Sequence, residues 1–176
     1  MMKQQVIDFI NSDKFKNKFG IPFVIFDGEL KKYKTDKLPN TCGIYITHSD
    51  KLGIIYIGMT ESSANSRFER HIGRAGKGKD YDKNKPHKVW DYFHNWCKTE
   101  RYSLEQDSNY IFVSFQNKIT RKQLEFLESG LIFEFQTLLN DDCFEWFGFQ
   151  QLENLKGTLS PSRDTTDLFE GLRKKF

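Results

Sequence analysis

The chain has 176 residues and a mass of 20.8 kDa, with 38% of positions apolar and 29% charged; that suits one domain of ordinary size with a packed core and excludes a disordered polyelectrolyte. The longest apolar runs, such as Gly53 to Gly58, fall far short of the roughly 20 residues that cross a bilayer, and Met1 leads into Lys3, Gln4 and Gln5 with no apolar export segment, so no membrane partner and a cytoplasmic setting are expected. Net charge is only +3, but from Arg67 to Trp90 eight Lys/Arg stand against three acids, a local +5 in 24 residues that predicts one basic surface.

Val6, Phe9 and Ile10, with Phe15 beyond, recur at helical spacing and predict an N-terminal helix. The apolar run Ile21 to Phe26, closed by Asp27-Gly28, predicts a short strand, and a Lys-rich connector punctuated by Pro39-Asn40 follows it. Cys42 to Thr47 and Gly53 to Gly58 are β-branched and aromatic runs around a short polar turn, the pattern of an antiparallel hairpin. Glu61-Ser62-Ser63 offers cap chemistry for a helix carrying Arg67, Phe68, His71 and Ile72, which should fray near Gly73 to Gly78. Gly76 to Lys88 reads as a loop, after which Val89, Trp90, Phe93, Trp96 and Cys97 predict an amphipathic helix with aromatic anchors. Tyr110 to Phe115 is the next strand, and Thr120 can cap a long helix running to about Leu139. The closing segment from Asp141 holds Trp146, Phe147 and Phe149 and turns polar around Ser160-Pro161-Ser162. Cys42, Cys97 and Cys143, an odd set without a C-x-x-C pair, read as reduced thiols rather than a disulfide framework or a zinc site.

One residue of the long helix stands out. At about 100° per residue, with Leu124 at zero, Leu131, Phe135 and Leu139 fall near 340°, 20° and 60°, and Glu128 falls near 40°. A carboxylate inside an apolar stripe is costly unless it meets a cation, a metal or a hydrogen-bonded network. Glu125 and Glu134 lie on the solvated margins. Glu128 is therefore either half of a structural ion pair or a working carboxylate.

Arg67 and His71 are four residues apart and project from one helix face, a permanent planar cation beside a proton carrier. That pairing also occurs on ordinary solvated faces. Tyr45 and Tyr56 lie on the hairpin strands beside this helix, where packing alone would account for them.

Together these residues resemble the GIY-YIG nuclease superfamily. Gly43-Ile44-Tyr45 and Tyr56-Ile57-Gly58 match its two name-giving triplets, Ser66-Arg67-Phe68-Glu69-Arg70-His71 looks like its Arg/His helix, and Leu127-Glu128-Ser129-Gly130-Leu131-Ile132 through Leu139-Asn140 resembles the remaining motif. The likeness covers about residues 41–140, with an insertion at about 73–109 longer than the minimal core. It implies an α+β domain, a small antiparallel sheet flanked by helices, elaborated by an N-terminal arm (1–40) and a C-terminal extension (141–176).

The resemblance also implies roles. Glu128 would hold one divalent ion, Mg²⁺ or Mn²⁺, Arg67 would bind the scissile phosphate, and Tyr45 and Tyr56 with His71 would position and deprotonate the attacking water. Tyr45 is the favoured base, and Asn140 would buttress the site. In-line attack on a phosphodiester needs these things: a hard cation on a nonbridging oxygen, a fixed positive charge for the developing dianion, and a base beside the water. Many members carry Lys directly after the second triplet, where this chain has Met59; either the chain belongs to a subgroup that manages without it, or a lysine of the basic loop, such as Lys77 or Lys79, enters the site. Arg70 is the rival of Arg67 for the phosphate, offset by about 100° from His71.

Arg70, Arg74, Lys77, Lys79, Lys83, Lys85 and Lys88, with Trp90, Tyr92 and Trp96 behind them, form a basic and aromatic stretch suited to the backbone of double-stranded DNA and to groove insertion. The expected activity is divalent-metal-dependent DNA hydrolysis by a self-contained enzyme similar to the compact type II restriction endonucleases of the family. The alternatives are a small phage or mobile-element endonuclease and a catalytically idle nucleic-acid-binding domain of the same fold. With one site per chain, cutting both strands calls for a homodimer on DNA or sequential cuts.

Overall fold

The computed structural model describes residues 2–13, 22–77, 88–116, 119–135 and 137–140. Its helices are α1 (Met2–Asn11), α2 (Ala64–Lys77), α3 (Lys88–Glu100), α4 (Leu104–Asp107) and α5 (Arg121–Phe135), and its strands are β1 (Phe23–Glu29), β2 (Gly43–Ser49), β3 (Gly53–Thr60) and β4 (Asn109–Phe115). The strands form one sheet in the order β1-β4-β2-β3, and every neighbouring pair is antiparallel. This is a mixed α/β architecture built on a small antiparallel sheet.

Side chains alternate across a strand, so a sheet covered on both faces must be apolar on both. Ile44, Ile46, Ile57, Ile111, Val113 and Phe115 face one core with Val6 and Ile10 of α1 and Leu124, Leu127 and Leu131 of α5. Tyr45, Tyr110 and Phe112 face the other with Phe68 of α2 and Trp90, Phe93 and Trp96 of α3. The register slips between Thr47 and His48, leaving Ile55 of β3 as the extra residue of a bulge. Beyond that bulge Tyr56 and Gly58 fall on the same face as Tyr45.

Several local expectations change. The strand does not stop at Asp27-Gly28: β1 continues to Glu29, with Gly28 paired to Tyr110, and a side chain at Gly28 would run into the Tyr110 hydroxyl and Asp36 Oδ2. Through β1 and α1, the region expected as an N-terminal arm supplies an edge strand and a covering helix. Helix α2 runs intact through Gly73 to Lys77. Thr120 caps α5 through a reciprocal pair with Gln123, the backbone N–H of each reaching the other's side-chain oxygen at 2.9 and 3.3 Å. The helix ends at Phe135, short of Leu139, because the chain turns to cover the exposed edge of β3. There the N–H groups of Leu138 and Leu139 donate to the carbonyls of Ile54 and Ile55 at 3.2 and 2.9 Å. The expectations for residues 141–176 lie outside the described residues. Among the described residues no helix is long and apolar enough to cross a membrane.

His48 is buried at 2% exposure, and neither ring nitrogen has a hydrogen-bond partner among the described residues. Burial, with a smaller contribution from Lys3, outweighs Asp50 and Asp27 and lowers its pKa from 6.5 to about 4. The unfolded chain therefore binds the proton first on acidification. Stability is full above about 6.5 and falls as pH drops towards 4, by about 3 kcal/mol. Urea unfolding of wild type and His48→Leu at several pH values checks this: the variant should lose that acid slope, and an unchanged slope refutes it.

Candidate active site

The hairpin and α2 bring the first four candidate residues together for local reasons. In the β2–β3 register Tyr45 lies opposite Gly58 and Thr47 opposite Tyr56, so the two tyrosines are diagonal neighbours on one face. Their rings stack at 6.0 Å between centroids and 24° between planes. The glycines of both triplets have a spatial reason. A Cβ at Gly58 would lie closer than 3.0 Å to Tyr45 Oη, Tyr45 Cζ and Tyr56 Cε1, and one at Gly43 would strike the Val113 carbonyl and the Phe112 ring.

The turn from β3 into α2 is organised by Thr60, whose Oγ1 accepts from the N–H groups of Ser62 and Ser63 at 3.3 and 3.0 Å. Ala64, Phe68, His71 and Ala75 then form the buried stripe of α2. Phe68 fixes the rotation of the helix, meeting Tyr45 at 5.6 Å and Tyr110 at 5.3 Å between ring centroids. His71 consequently points at the hairpin: its Nε2 lies 3.0 Å from the Tyr45 hydroxyl, and its ring lies 4.4 Å from that of Tyr56. Arg67, one turn earlier on the same face, is half-buried beside it.

Glu128 arrives from the opposite face of the sheet. Leu124, Leu127 and Leu131 pack α5 against that face, and Arg121, paired within α5 with Glu125 at 2.8 Å, reaches Glu61 after β3 at 3.7 Å. Glu128 sits half-buried on the margin of this leucine stripe rather than at its centre. From there its charge reaches the Tyr45 hydroxyl, as does that of Arg67. Burial pushes that hydroxyl well above its ordinary 10.0; Tyr56 and Glu128 push it further up and Arg67 draws it down. Tyr45 is therefore protonated at neutral pH, and its hydroxyl faces His71 instead of open solvent. Tyr56 is the half-buried member of the pair.

His71 is shifted the other way. Burial, then the charges of Arg74, Arg70 and Arg67, hold it well below 6.5, so the imidazole is neutral. A neutral imidazole against a protonated tyrosine makes a hydrogen-bonded pair able to take up one proton.

Asn140 stays out of this cluster. Its Oδ1 accepts from the Ile57 N–H at 2.9 Å and from Thr137 Oγ1 at 2.6 Å, and its Nδ2 donates to the Ile57 carbonyl. The amide thus imitates a strand partner and holds β3 straight between Tyr56 and Gly58. Arg70 is exposed and Arg74 half-buried on α2, with the Arg74 guanidinium 5.7 Å from the Trp90 ring centre. The side chains of Lys77 and Lys88, and all of Lys79, Lys83 and Lys85, lie outside the described residues. Trp90 and Trp96 are buried at 2% exposure, which removes both from groove insertion. The aromatic spacing of this helix is that of a core face.

Among the described residues no three His, Cys, Asp or Glu side chains gather as a metal cage. The single Glu128 carboxylate suits a hard ion such as Mg²⁺ or Mn²⁺, which keeps several waters and takes one or two carboxylates plus substrate phosphate oxygens. Comparison with known proteins adds nothing to this geometry: no family model, no curated protein and no solved structure matches the chain.

Proposed function

We propose that the chain is a GIY-YIG-type endonuclease that hydrolyses phosphodiester bonds of double-stranded DNA with one Mg²⁺ or Mn²⁺ per site. The reading is carried by one arrangement: the Tyr45 hydroxyl lies 3.0 Å from His71 Nε2, with the Tyr56 ring beside both, and the charges of Arg67 and Glu128 bear on that hydroxyl from opposite faces of the sheet. An arginine, a carboxylate and a neutral Tyr–His pair are what phosphodiester hydrolysis needs side by side.

In this reading Arg67 binds the scissile phosphate and offsets the charge that grows on its nonbridging oxygens. Glu128 would hold the divalent ion, which would supply Lewis acidity at the phosphate when bound. The attacking water loses a proton to the tyrosine pair, and Tyr45 passes its own proton to Nε2 of His71. No free tyrosinate accumulates, consistent with the raised pKa of Tyr45. The new O–P bond forms as the ester P–O bond breaks, and the departing oxygen is protonated by solvent. Arg70 and Arg74 continue the positive row along α2 and would hold neighbouring phosphates. A self-contained restriction-type enzyme is the form proposed, two copies or two sequential events serving the two strands.

Supercoiled plasmid incubated with Mg²⁺ or Mn²⁺ should be nicked and linearised, EDTA should stop the reaction, and sequencing the ends gives the cleavage position. Retarded migration without cutting would support the idle binding domain instead. Preferential cleavage of RNA or of branched DNA in parallel incubations would move the substrate class.

A further inference from the structure

A histidine that moves protons is usually oriented by a hydrogen bond from its other ring nitrogen to a carbonyl or carboxylate. His71 has no such orienter: its Nδ1 is buried and without a hydrogen-bond partner among the described residues. Beyond the Tyr45 contact, what the described residues place against the ring is aromatic.

We propose that Trp90, supplied by the insertion helix α3, is the positioning residue that clamps the His71 imidazole by stacking on its face, in a corner shared with Tyr56, and so keeps Nε2 on the Tyr45 hydroxyl. Trp90 lies 4.9 Å from His71 between centroids with only 26° between planes, and Tyr56 lies 4.4 Å from His71 and 5.7 Å from Trp90, so the two rings are adjacent walls of a corner that holds the imidazole. Turning the imidazole about its Cβ–Cγ bond would carry it off the Trp90 face and take Nε2 from the Tyr45 hydroxyl. Trp90 is itself immobilised: it is 2% exposed, and Phe93 meets it edge-on at 6.1 Å and 83°. Helix α3 is tied to the last turns of α2 where His94 Nδ1 meets the Ala75 carbonyl at 2.6 Å. Among the described residues the charged and titratable groups around the ring are Arg67, Arg70 and Arg74 of α2, Tyr45 of β2 and Tyr56 of β3. Trp90 also helps exclude the water that would let His71 charge among those arginines. The insertion is thus part of the site rather than only a DNA-facing appendage.

The clamp itself is independent of the reaction; its catalytic consequence rests on the nuclease reading. Trp90→Leu keeps bulk without an aromatic face, and Trp90→Phe restores a face. In NMR titrations the wild-type His71 should remain neutral well below its ordinary 6.5, and in Trp90→Leu its titration should move up towards that value. Cleavage by Trp90→Leu should lose about tenfold in kcat with KM for DNA within about threefold, and Trp90→Phe should recover most of it. Unchanged His71 titration in a folded Trp90→Leu overturns the clamp, as does a loss in KM alone. If Trp90→Leu does not fold, the wild-type spectrum decides: ring currents from Trp90 and Tyr56 should displace the His71 ring protons upfield, and ordinary positions overturn the proposal. A wild type that cuts no nucleic acid yet shows the shifted histidine would sink the nuclease reading and leave the clamp standing.

Discussion

Glu128→Gln should lower metal-dependent cleavage by about 10²- to 10³-fold while leaving DNA binding and thermal stability near wild type. The substitution keeps the shape and the half-buried place beside Leu124, Leu127 and Leu131, but an amide carries no charge with which to hold a divalent ion. It also removes a negative charge that raises the Tyr45 hydroxyl, so Tyr45 should titrate at lower pH in the variant. The two effects separate the possible roles of the carboxylate. Cleavage assays at increasing Mn²⁺, run beside a tyrosine absorbance titration, check both. If Glu128 were only part of a structural ion pair, the variant would unfold earlier and keep its specific rate; that outcome would remove the metal from this position.

Gly58→Ala is expected to be nearly as damaging although it adds only one methyl group. That methyl would fall closer than 3.0 Å to Tyr45 Oη and Cζ and to Tyr56 Cε1. The strand cannot yield easily, because Ile57 on one side is fastened to Asn140 and Gly58 itself is paired with Tyr45. The tyrosines must move, and overpacking of this kind costs about 1–3 kcal/mol. A shift of about 1 Å in the Tyr45 hydroxyl breaks its bond to His71 Nε2 and should lower cleavage about 10²-fold. Denaturant unfolding and single-turnover cleavage measure the two losses. Wild-type stability and rate in Gly58→Ala would show that the tyrosines do not depend on this contact.

Elements whose partners are close along the chain were legible before any coordinates. The hairpin, the Thr120 cap and the Arg67–His71 face rest on period, turn chemistry and spacing, which act over a few residues. The place of Glu128 in an apolar stripe was also legible, though the stripe turned out to be Leu124, Leu127 and Leu131 with the glutamate at its margin. Periodicity alone extends helix α5 through Leu139, whereas the unpaired edge of β3 recruits the backbone of Leu138 and Leu139 and the side chain of Asn140. Competition between helix and sheet edge is a long-range matter that local pattern does not contain. Trp90 shows a related limit: its helical spacing marks an aromatic anchor, which the structure has, but its place beside lysines also reads as a nucleic-acid surface, and only burial by partner rings decides between the two.

The sequence by itself determined the residue types of the candidate chemistry and the faces they occupy, because side-chain periodicity is a local property of strands and helices. Only the tertiary structure decided that Glu128, carried on the far side of the sheet, acts on the same hydroxyl as Arg67, and that Trp90 closes over His71. Both depend on how helices pack against a sheet, and burial also sets the neutral state of His71 and the protonated state of Tyr45 by removing water from them.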